Sequence, residues 1–193
     1  MIKIIDARDD LSVQVHPDDI YAGVHEEGSL GKTECWYILD CIPNASLVVG
    51  HNADTKQEMQ EMIAEGRWNT LLKRSSIGIG DFFQIEPGTV HAIRRETMIL
   101  EIQQSSDITY RLYDYDRLQN GVPRPLHLEK CMDVIRFPHS DNMVHRDIIE
   151  TDQYVQENMI QCSFYNVEHV KLYGTMGVRN LFEFGTRGTQ VLG

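Results

Sequence analysis

The sequence predicts a mainly β protein whose strands run antiparallel, as in a barrel or a jelly roll. Short strand-like runs follow one another closely, and glycine or proline corners such as Pro43, Gly78 and Pro87-Gly88 separate them. A parallel sheet would need a helix between consecutive strands, and most of these intervals are too short to hold one.

Each strand is predicted from a run of alternating or β-branched apolar residues bounded by turn residues. In chain order the runs cover residues 3–6, 12–16, 35–40, 46–50, 81–86, 89–93, 98–103 and 162–172. A helix interrupts them, because Thr55 and Glu58 fit a capping box. Met59, Met62 and Ile63 then form an apolar stripe at helical spacing, which is typical of core packing.

Changes in composition along the chain predict one main domain and a smaller appendage. We assign residues 1–137 to a β barrel with a helical insertion near 55–72. Residues 138–160 are polar and lack periodicity, so they are predicted to form a connector. Residues 161–193 are predicted to start a second, incomplete β unit.

Charge and cysteine usage limit the classes of partner. The chain has 193 residues and a formal net charge of -11, which argues against a nucleic-acid partner because such proteins need a basic face. A small sugar phosphate is still compatible, since a few placed cations can hold it. The four cysteines show no CxxC pair, and no run is apolar enough for a secretory signal or a membrane span. A cytoplasmic protein without a membrane partner is expected.

Four residues suggest a metal site. Gln14 and His16 are two apart in a predicted strand, so their side chains lie on one face of it. Glu34 and His91 lie in later strand segments and could complete the set. Two imidazoles, one carboxylate and one amide oxygen suit a borderline divalent ion such as zinc.

The surroundings of these residues resemble a known family. Gly80-Asp81 followed by Pro87-Gly88-Thr89-Val90-His91 is similar to the second signature of cupin barrels. Within the cupins, the chain resembles the compact bacterial class of type I mannose-6-phosphate isomerases. Four segments carry this resemblance: Leu11–Asp19 (LSVQVHPDD), Gly31–Tyr37 (GKTECWY), Pro87–Ile93 (PGTVHAI) and Gln103–Arg117 (QQSSDITYRLYDYDR).

The resemblance implies a cupin-type jelly-roll barrel that binds one zinc ion and interconverts mannose 6-phosphate and fructose 6-phosphate through an enediolate. It assigns the zinc to Gln14, His16, Glu34 and His91, and it assigns a catalytic role to Arg111. Arg111 is always protonated, so it would stabilise an oxyanion or orient the sugar rather than abstract a proton. The base is left open between a zinc-bound hydroxide and a nearby carboxylate.

Lys32 precedes Glu34 by two residues, so on an extended strand both side chains would point toward the same cavity. We therefore expect Lys32 to bind substrate oxygens or phosphate. The alternative for Lys32 is a solvated lysine at a strand end. The alternative for Arg111 is an ion pair with Asp107, Asp114 or Asp116.

Two other functions fit the same residues. One is a metal-binding cupin with different chemistry, such as an oxygenase, and the other is an inactive sugar-binding fragment. The second arises because members of the resembled family begin with a longer N-terminal segment and continue into a complete second β unit. The chain is therefore expected to be truncated at both ends, and its oligomeric state is left open.

Overall fold

The chain divides into two units, Met1–Asn142 and Met143–Gly193. The structure is a computed structural model that describes residues 1–141 and 146–174. Residues 142–145 of the predicted connector and residues 175–193 of the predicted second β unit lie outside the described residues. In the described ranges, no helix combines the length and the hydropathy that crossing a bilayer requires.

The first unit consists mostly of short strands, as its alternating apolar runs predict. The strands are β1 (Ile2–Ala7), β2 (Val13–Val15), β3 (Glu34–Cys41), β4 (Ser46–His51), β5 (Leu72–Ser76), β6 (Phe82–Ile85), β7 (His91–Ala92), β8 (Thr97–Gln103), β9 (Tyr110–Tyr113), β10 (Leu118–Gln119) and β11 (Val122–Pro123). The helices are α1 (Asp19–His25), α2 (Lys56–Ala64), α3 (Trp68–Leu71) and α4 (Leu128–Val134).

Two antiparallel sheets form the barrel. One has four strands in the order β1-β8-β3-β6, and the other has five in the order β5-β4-β7-β2-β9. Strands β10 and β11 make a separate two-residue ladder. Neighbours in the sheets are often far apart in sequence, as in a jelly roll, and every pair is antiparallel. The predicted mainly β jelly-roll class is confirmed.

The core between the two sheets is apolar at one end of the barrel. Trp36 and Ile38 of β3 pack there with Ile99 of β8, and Leu47 of β4 reaches them from the opposite sheet. These side chains are fully buried. Because successive strand residues point to opposite faces, the same alternation that buries Trp36 also directs Glu34 into the barrel.

A second apolar cluster covers the outer face of the five-stranded sheet. Val13 and Val15 of β2 pack there against Met59 of α2 and Met132 of α4. Both valines are fully buried on this side, so Gln14 between them points the other way, into the barrel. Strand β2 is thus held by helices on one face while it presents polar groups on the other.

The helical insertion begins as its sequence predicts. Thr55 is the N-cap of α2, and its hydroxyl accepts a hydrogen bond from the Glu58 amide at 3.2 Å. The Glu58 carboxylate reaches back to the amide of Asp54 at 2.7 Å, one residue earlier than a capping box requires. The apolar stripe packs into the core through Met59 and Met62.

Several elements were absent from the sequence prediction. The sequence prediction did not include helix α1, which Asp18 caps by accepting a hydrogen bond from the Tyr21 amide at 2.8 Å. Strands β5, β9, β10 and β11 were not predicted either. Strands of two to five residues contain too few alternating apolar residues to be recognised in the sequence. They are recognised by their hydrogen-bonded pairing with neighbouring strands.

The second unit contains a three-stranded antiparallel sheet in its described part, with strands β12 (Asp147–Glu150), β13 (Tyr154–Gln161) and β14 (Asn166–Leu172). The sequence prediction differs here, because it placed a strandless connector over 138–160 and one strand over 162–172. Met159 is the buried hydrophobic residue of this sheet, at 1% exposure. Strands with few buried residues need few apolar side chains and so carry a weak sequence signal, which explains why β12 and β13 were not predicted.

We expect Gly31→Ala to destabilise the first unit. A Cβ on Gly31 would meet the backbone that follows His16, with Pro17 O at 2.6 Å and Asp19 N at 2.5 Å. The free energy of unfolding, measured by urea denaturation, should fall by about 2 kcal/mol. The control is Gly23→Ala in α1, where no atom lies within 4 Å of the new Cβ. That variant should be unchanged or more stable by up to about 1 kcal/mol, and equal losses in both would contradict the packing argument.

Candidate functional site

Three neighbouring strands of the five-stranded sheet place site residues side by side. Gln14 of β2 is opposite His91 of β7 on one side and opposite Arg111 of β9 on the other. Directly opposed residues in antiparallel strands have side chains on the same face. Because Gln14 faces into the barrel, His91 and Arg111 share that inner face with it.

His16, Glu34 and His91 converge inside the barrel. Nε2 of His16 lies 3.6 Å from one carboxylate oxygen of Glu34, and Nε2 of His91 lies 3.3 Å from the other. One ligand atom from each of the three residues lies within 4.8 Å of the others. Glu34 comes from the four-stranded sheet and both histidines from the five-stranded side, so only the closed barrel brings them together.

Backbone carbonyls orient both imidazoles. Nδ1 of His16 donates to Ile108 O, and Nδ1 of His91 donates to Thr89 O, each at 2.8 Å. The Nε2 atoms therefore carry lone pairs directed at the cluster. Burial lowers the pKa of His91 to about 4, and burial followed by the proximity of His91 lowers the pKa of His16. Both rings are neutral near pH 7, the form that binds metal ions.

Glu34 is a fully buried carboxylate with a buried cationic partner. Nζ of Lys32 lies 2.8 Å from Glu34 Oε2, and Lys32 is only 6% exposed. Burial raises the pKa of Glu34, whereas the charge and hydrogen bond of Lys32 act to lower it. A solvated strand-end lysine, the alternative for Lys32, is wrong because this ammonium lies inside the barrel beside Glu34.

The cluster fits a bound metal ion by its chemistry. Nε2 of His16 and Oε1 of Glu34 are buried and have no hydrogen-bond partner among the described residues, which is costly unless a ligand satisfies them. Tetrahedral zinc with bonds near 2.1 Å separates its ligand atoms by about 3.4 Å. Nε2 of His91 is 3.3 Å from Oε1 of Glu34 and Nε2 of His16 is 3.6 Å from Oε2, so each imidazole lies at about that spacing from one carboxylate oxygen, and the three ligand atoms lie within 4.8 Å of one another.

Gln14 lies next to the same cluster. Its Nε2 is 3.2 Å from Nε2 of His91, whose lone pair accepts the hydrogen bond. Turning the amide by 180° would place its oxygen at the same point, where it could serve as a fourth ligand. The structure thus brings Gln14 to the three converging residues, and its role as a metal ligand stays a prediction.

Arg111 is half-buried at the edge of this inner face. Its Nη1 donates to Pro125 O at 2.8 Å, while its Nε is buried and has no hydrogen-bond partner among the described residues. Burial, and then repulsion from Arg124, lower the pKa of Arg111 from its usual value. The Asp114 carboxylate, an ion-pair candidate for Arg111 in the sequence, binds Arg117 and Arg124 instead.

Polar residues of β8 line the barrel near the cluster, and sequence reasoning did not single them out. Glu101 accepts a hydrogen bond from the indole of Trp36 at 3.3 Å, and Lys3 donates to Gln103 at 2.7 Å. Glu101 and Gln103 are buried at 4% and 2% exposure. The alternation of β8, in which every second residue is buried, is the signal that could have identified them.

The chain has close relatives among proteins of known name. The mannose-6-phosphate isomerase ManA of Bacillus subtilis is 48% identical over 182 residues, which cover 93% of this chain and 57% of that protein. The mannose-6-phosphate isomerase of Streptococcus mutans is 52% identical over 136 residues, covering 70% of this chain and 43% of that protein. This chain is similar in sequence to mannose-6-phosphate isomerases. The resemblance first seen in its motifs is therefore confirmed.

Solved structures agree with this relationship. The crystal structure of the mannose 6-phosphate isomerase from Bacillus subtilis superposes with a TM-score of 0.86 at 44% identity, covering 90% of this chain and 55% of that one. A variant of phosphomannose isomerase from Salmonella typhimurium matches with a TM-score of 0.63 at 12% identity, which supports the fold alone. No family model matches. The chain spans about half the length of the curated relatives it matches.

We expect Glu34→Gln to destabilise the metal-free protein, because it leaves the buried ammonium of Lys32 without a counter-charge. Urea denaturation in the presence of a chelator should show a loss of about 3 kcal/mol. Glu65→Gln is the matched control, since Glu65 pairs with Arg67 at the surface with its side chain 61% exposed. The control should change stability by less than about 1 kcal/mol. Equal losses of stability in the two variants would show that the buried Glu34–Lys32 pair contributes no more than a surface ion pair.

Proposed function

We propose that the first unit of this chain is the catalytic barrel of a zinc-dependent mannose-6-phosphate isomerase. It would interconvert mannose 6-phosphate and fructose 6-phosphate through an enediolate. The observation that carries the proposal is the buried His16, Glu34 and His91 cluster with its unpartnered Nε2 and Oε1 atoms. The named activity of the homologous proteins supports the substrate and the reaction.

The reaction moves a proton between C1 and C2 of the open-chain sugar, while negative charge develops on the carbonyl oxygen. When bound, zinc would supply Lewis-acid stabilisation of that charge. His16 and His91 are suited to hold it as neutral ligands, because their Nδ1 protons are already committed to Ile108 O and Thr89 O. Glu34 would provide the anionic ligand, and Gln14 would add its amide oxygen.

Arg111 and Lys32 would act on the substrate directly. The Nε of Arg111 has no hydrogen-bond partner among the described residues, and the positive charge of the guanidinium can stabilise an oxyanion or orient the sugar. Lys32 uses one of its three N–H donors on Glu34, so two donors are left for substrate oxygens. Neither group needs to change its protonation state during the reaction.

Substrate class and location follow from the same proposal. The substrate would be a small sugar phosphate, since this acidic chain nevertheless places Lys32 beside Glu34 and Arg111 opposite Gln14. We also propose a cytoplasmic location, because the four cysteines form no disulfide.

We expect removal of metal to abolish isomerisation, measured as mannose 6-phosphate consumption in a coupled assay, and added zinc to restore it. His16→Ala should weaken zinc binding in calorimetric titration at least about 100-fold. His25→Ala, at an exposed position of α1, is the matched control and should bind zinc normally. Full turnover after complete metal removal would contradict the proposal, as would iron content with oxygen uptake.

We expect Arg111→Ala to lower kcat by about 100- to 1000-fold, because the developing oxyanion loses a preorganised charge. Zinc content should be unchanged, since Arg111 is not among the converging ligand atoms. Arg67→Ala at the surface is the control and should retain full activity. A variant of Arg111 with normal kcat would exclude its catalytic role.

A further inference from the structure

The segment that follows the β10–β11 hairpin lies directly against Arg111. The chain leaves β9 after Tyr113, makes the small hairpin and returns through residues 124–127. The hairpin is held by a ladder of only two residue pairs, and its apolar residues Leu118 and Val122 are 64% and 65% exposed. Its own contacts therefore do little to fix where the returning segment lies.

An ion pair anchors the start of the returning segment. Arg124 binds the Asp114 carboxylate through two N–H groups, with Nε 2.8 Å from Oδ2 and Nη2 contacting Oδ1. Asp114 follows β9 directly and is only 5% exposed. The hydrogen bonds of Arg124, and then of Arg117, lower the pKa of Asp114 to about 2, so the carboxylate is ionised at neutral pH. Two parallel hydrogen bonds of this kind fix the orientation of the Arg124 guanidinium relative to the Asp114 carboxylate as well as the distance between them.

Two hydrogen bonds between His127 and the backbone of Arg111 anchor the other end of the segment. The amide of Arg111 donates to Nδ1 of His127 at 3.0 Å, and the amide of His127 donates to the carbonyl of Arg111 at 2.8 Å. These bonds hold His127 beside strand β9. They do not by themselves fix Pro125, which lies two residues earlier and is exposed.

Pro125 lies between the two anchors and contacts the guanidinium itself. Its carbonyl accepts the hydrogen bond from Nη1 of Arg111 at 2.8 Å. Arg124 is the residue immediately before this carbonyl, so the position of the Asp114–Arg124 pair determines where the acceptor lies. The Nε of Arg111 is buried and has no hydrogen-bond partner among the described residues, so the bond from Nη1 to Pro125 O is the side-chain hydrogen bond that fixes this guanidinium there.

We infer that Arg124 and Asp114 are positioning residues for Arg111, acting through the carbonyl of Pro125. Their effect on turnover rests on the proposed function, because it needs Arg111 to be catalytic. Their effect on the geometry of the Arg111 side chain does not depend on the proposed function.

Arg117 offers an internal control for this inference. It binds the same Asp114 oxygen as Arg124 does, and its Nε also donates to the backbone carbonyl of Asp114. It is not connected to Pro125, and its Nη1 contacts Asp10 O instead. A role limited to neutralising Asp114 or to general stability would be shared by both arginines. A positioning role would belong to Arg124.

The first experiment measures the Arg111 side chain directly by ¹⁵N NMR of the full chain, with its Nη1–H signals assigned by their loss in Arg111→Lys. Hydrogen exchange of the Arg111 guanidinium should accelerate about fivefold in Arg124→Gln, the ratio that corresponds to one net hydrogen bond. It should be unchanged in Arg117→Gln. Arg124→Lys, which keeps the charge but not the fork, should give an intermediate rate. Equal exchange in wild type and Arg124→Gln would overturn the inference, whatever the activity.

The second experiment is a double-mutant cycle in the isomerase assay. Arg124→Gln should lower kcat about tenfold with little change in KM, because it misplaces a catalytic group, and Arg117→Gln should keep the wild-type kcat. In an Arg111→Ala background, Arg124→Gln should cause almost no further loss. A full additional loss in that background would show that Arg124 does not act through Arg111. If the wild-type chain with zinc lacks activity, the proposed function fails, and the exchange experiment alone decides the positioning of Arg111.

Discussion

The structure of the first unit depends on burying the carboxylate of Glu34 inside the barrel. A buried charge is costly unless charges or hydrogen bonds compensate it, and Glu34 is fully buried. Lys32 supplies one compensating charge, and two neutral imidazoles supply lone pairs rather than protons. This arrangement leaves Glu34 Oε1 and His16 Nε2 without hydrogen-bond partners within the described residues, an arrangement that fits the proposed metal ion. The barrel fold therefore buries the same carboxylate that belongs to the candidate metal site.

Strand β2 connects the stability of the barrel to the geometry of the site. Val13 and Val15 are packed under the helices, and this packing fixes the direction of Gln14 between them. A shift of β2 by one residue would bury Gln14 against α2 and α4 and turn the valines into the cavity. Substitutions in the helical cluster are therefore expected to disturb ligands that they do not touch. The helices serve the site by holding the register of the sheet.

Arg111 is held in a different way from the buried cluster. His16, Glu34 and His91 lie deep in the barrel, where packing restricts them, whereas the Arg111 side chain lies near the surface beside an exposed hairpin. Its position depends on ionic and main-chain contacts from residues 124–127. A long, partly exposed side chain loses more conformational entropy when it is fixed than a packed histidine does. The contacts from residues 124–127 offset this loss of conformational entropy.

The sequence by itself determined the mainly β class and the start of α2, and it predicted the six residues of the candidate site, because alternation, capping and family motifs are local signals. It did not reveal β9, which places Arg111 beside Gln14, or the inward-facing Glu101 and Gln103 of β8. It also did not reveal β12 and β13, most of whose residues are not buried, although the run over 162–172 contains β14. The tertiary structure decided that Asp114 binds Arg124 rather than Arg111, since that choice depends on where a hairpin folds back. Contacts between distant segments are set by sheet closure and packing, and no local pattern encodes them.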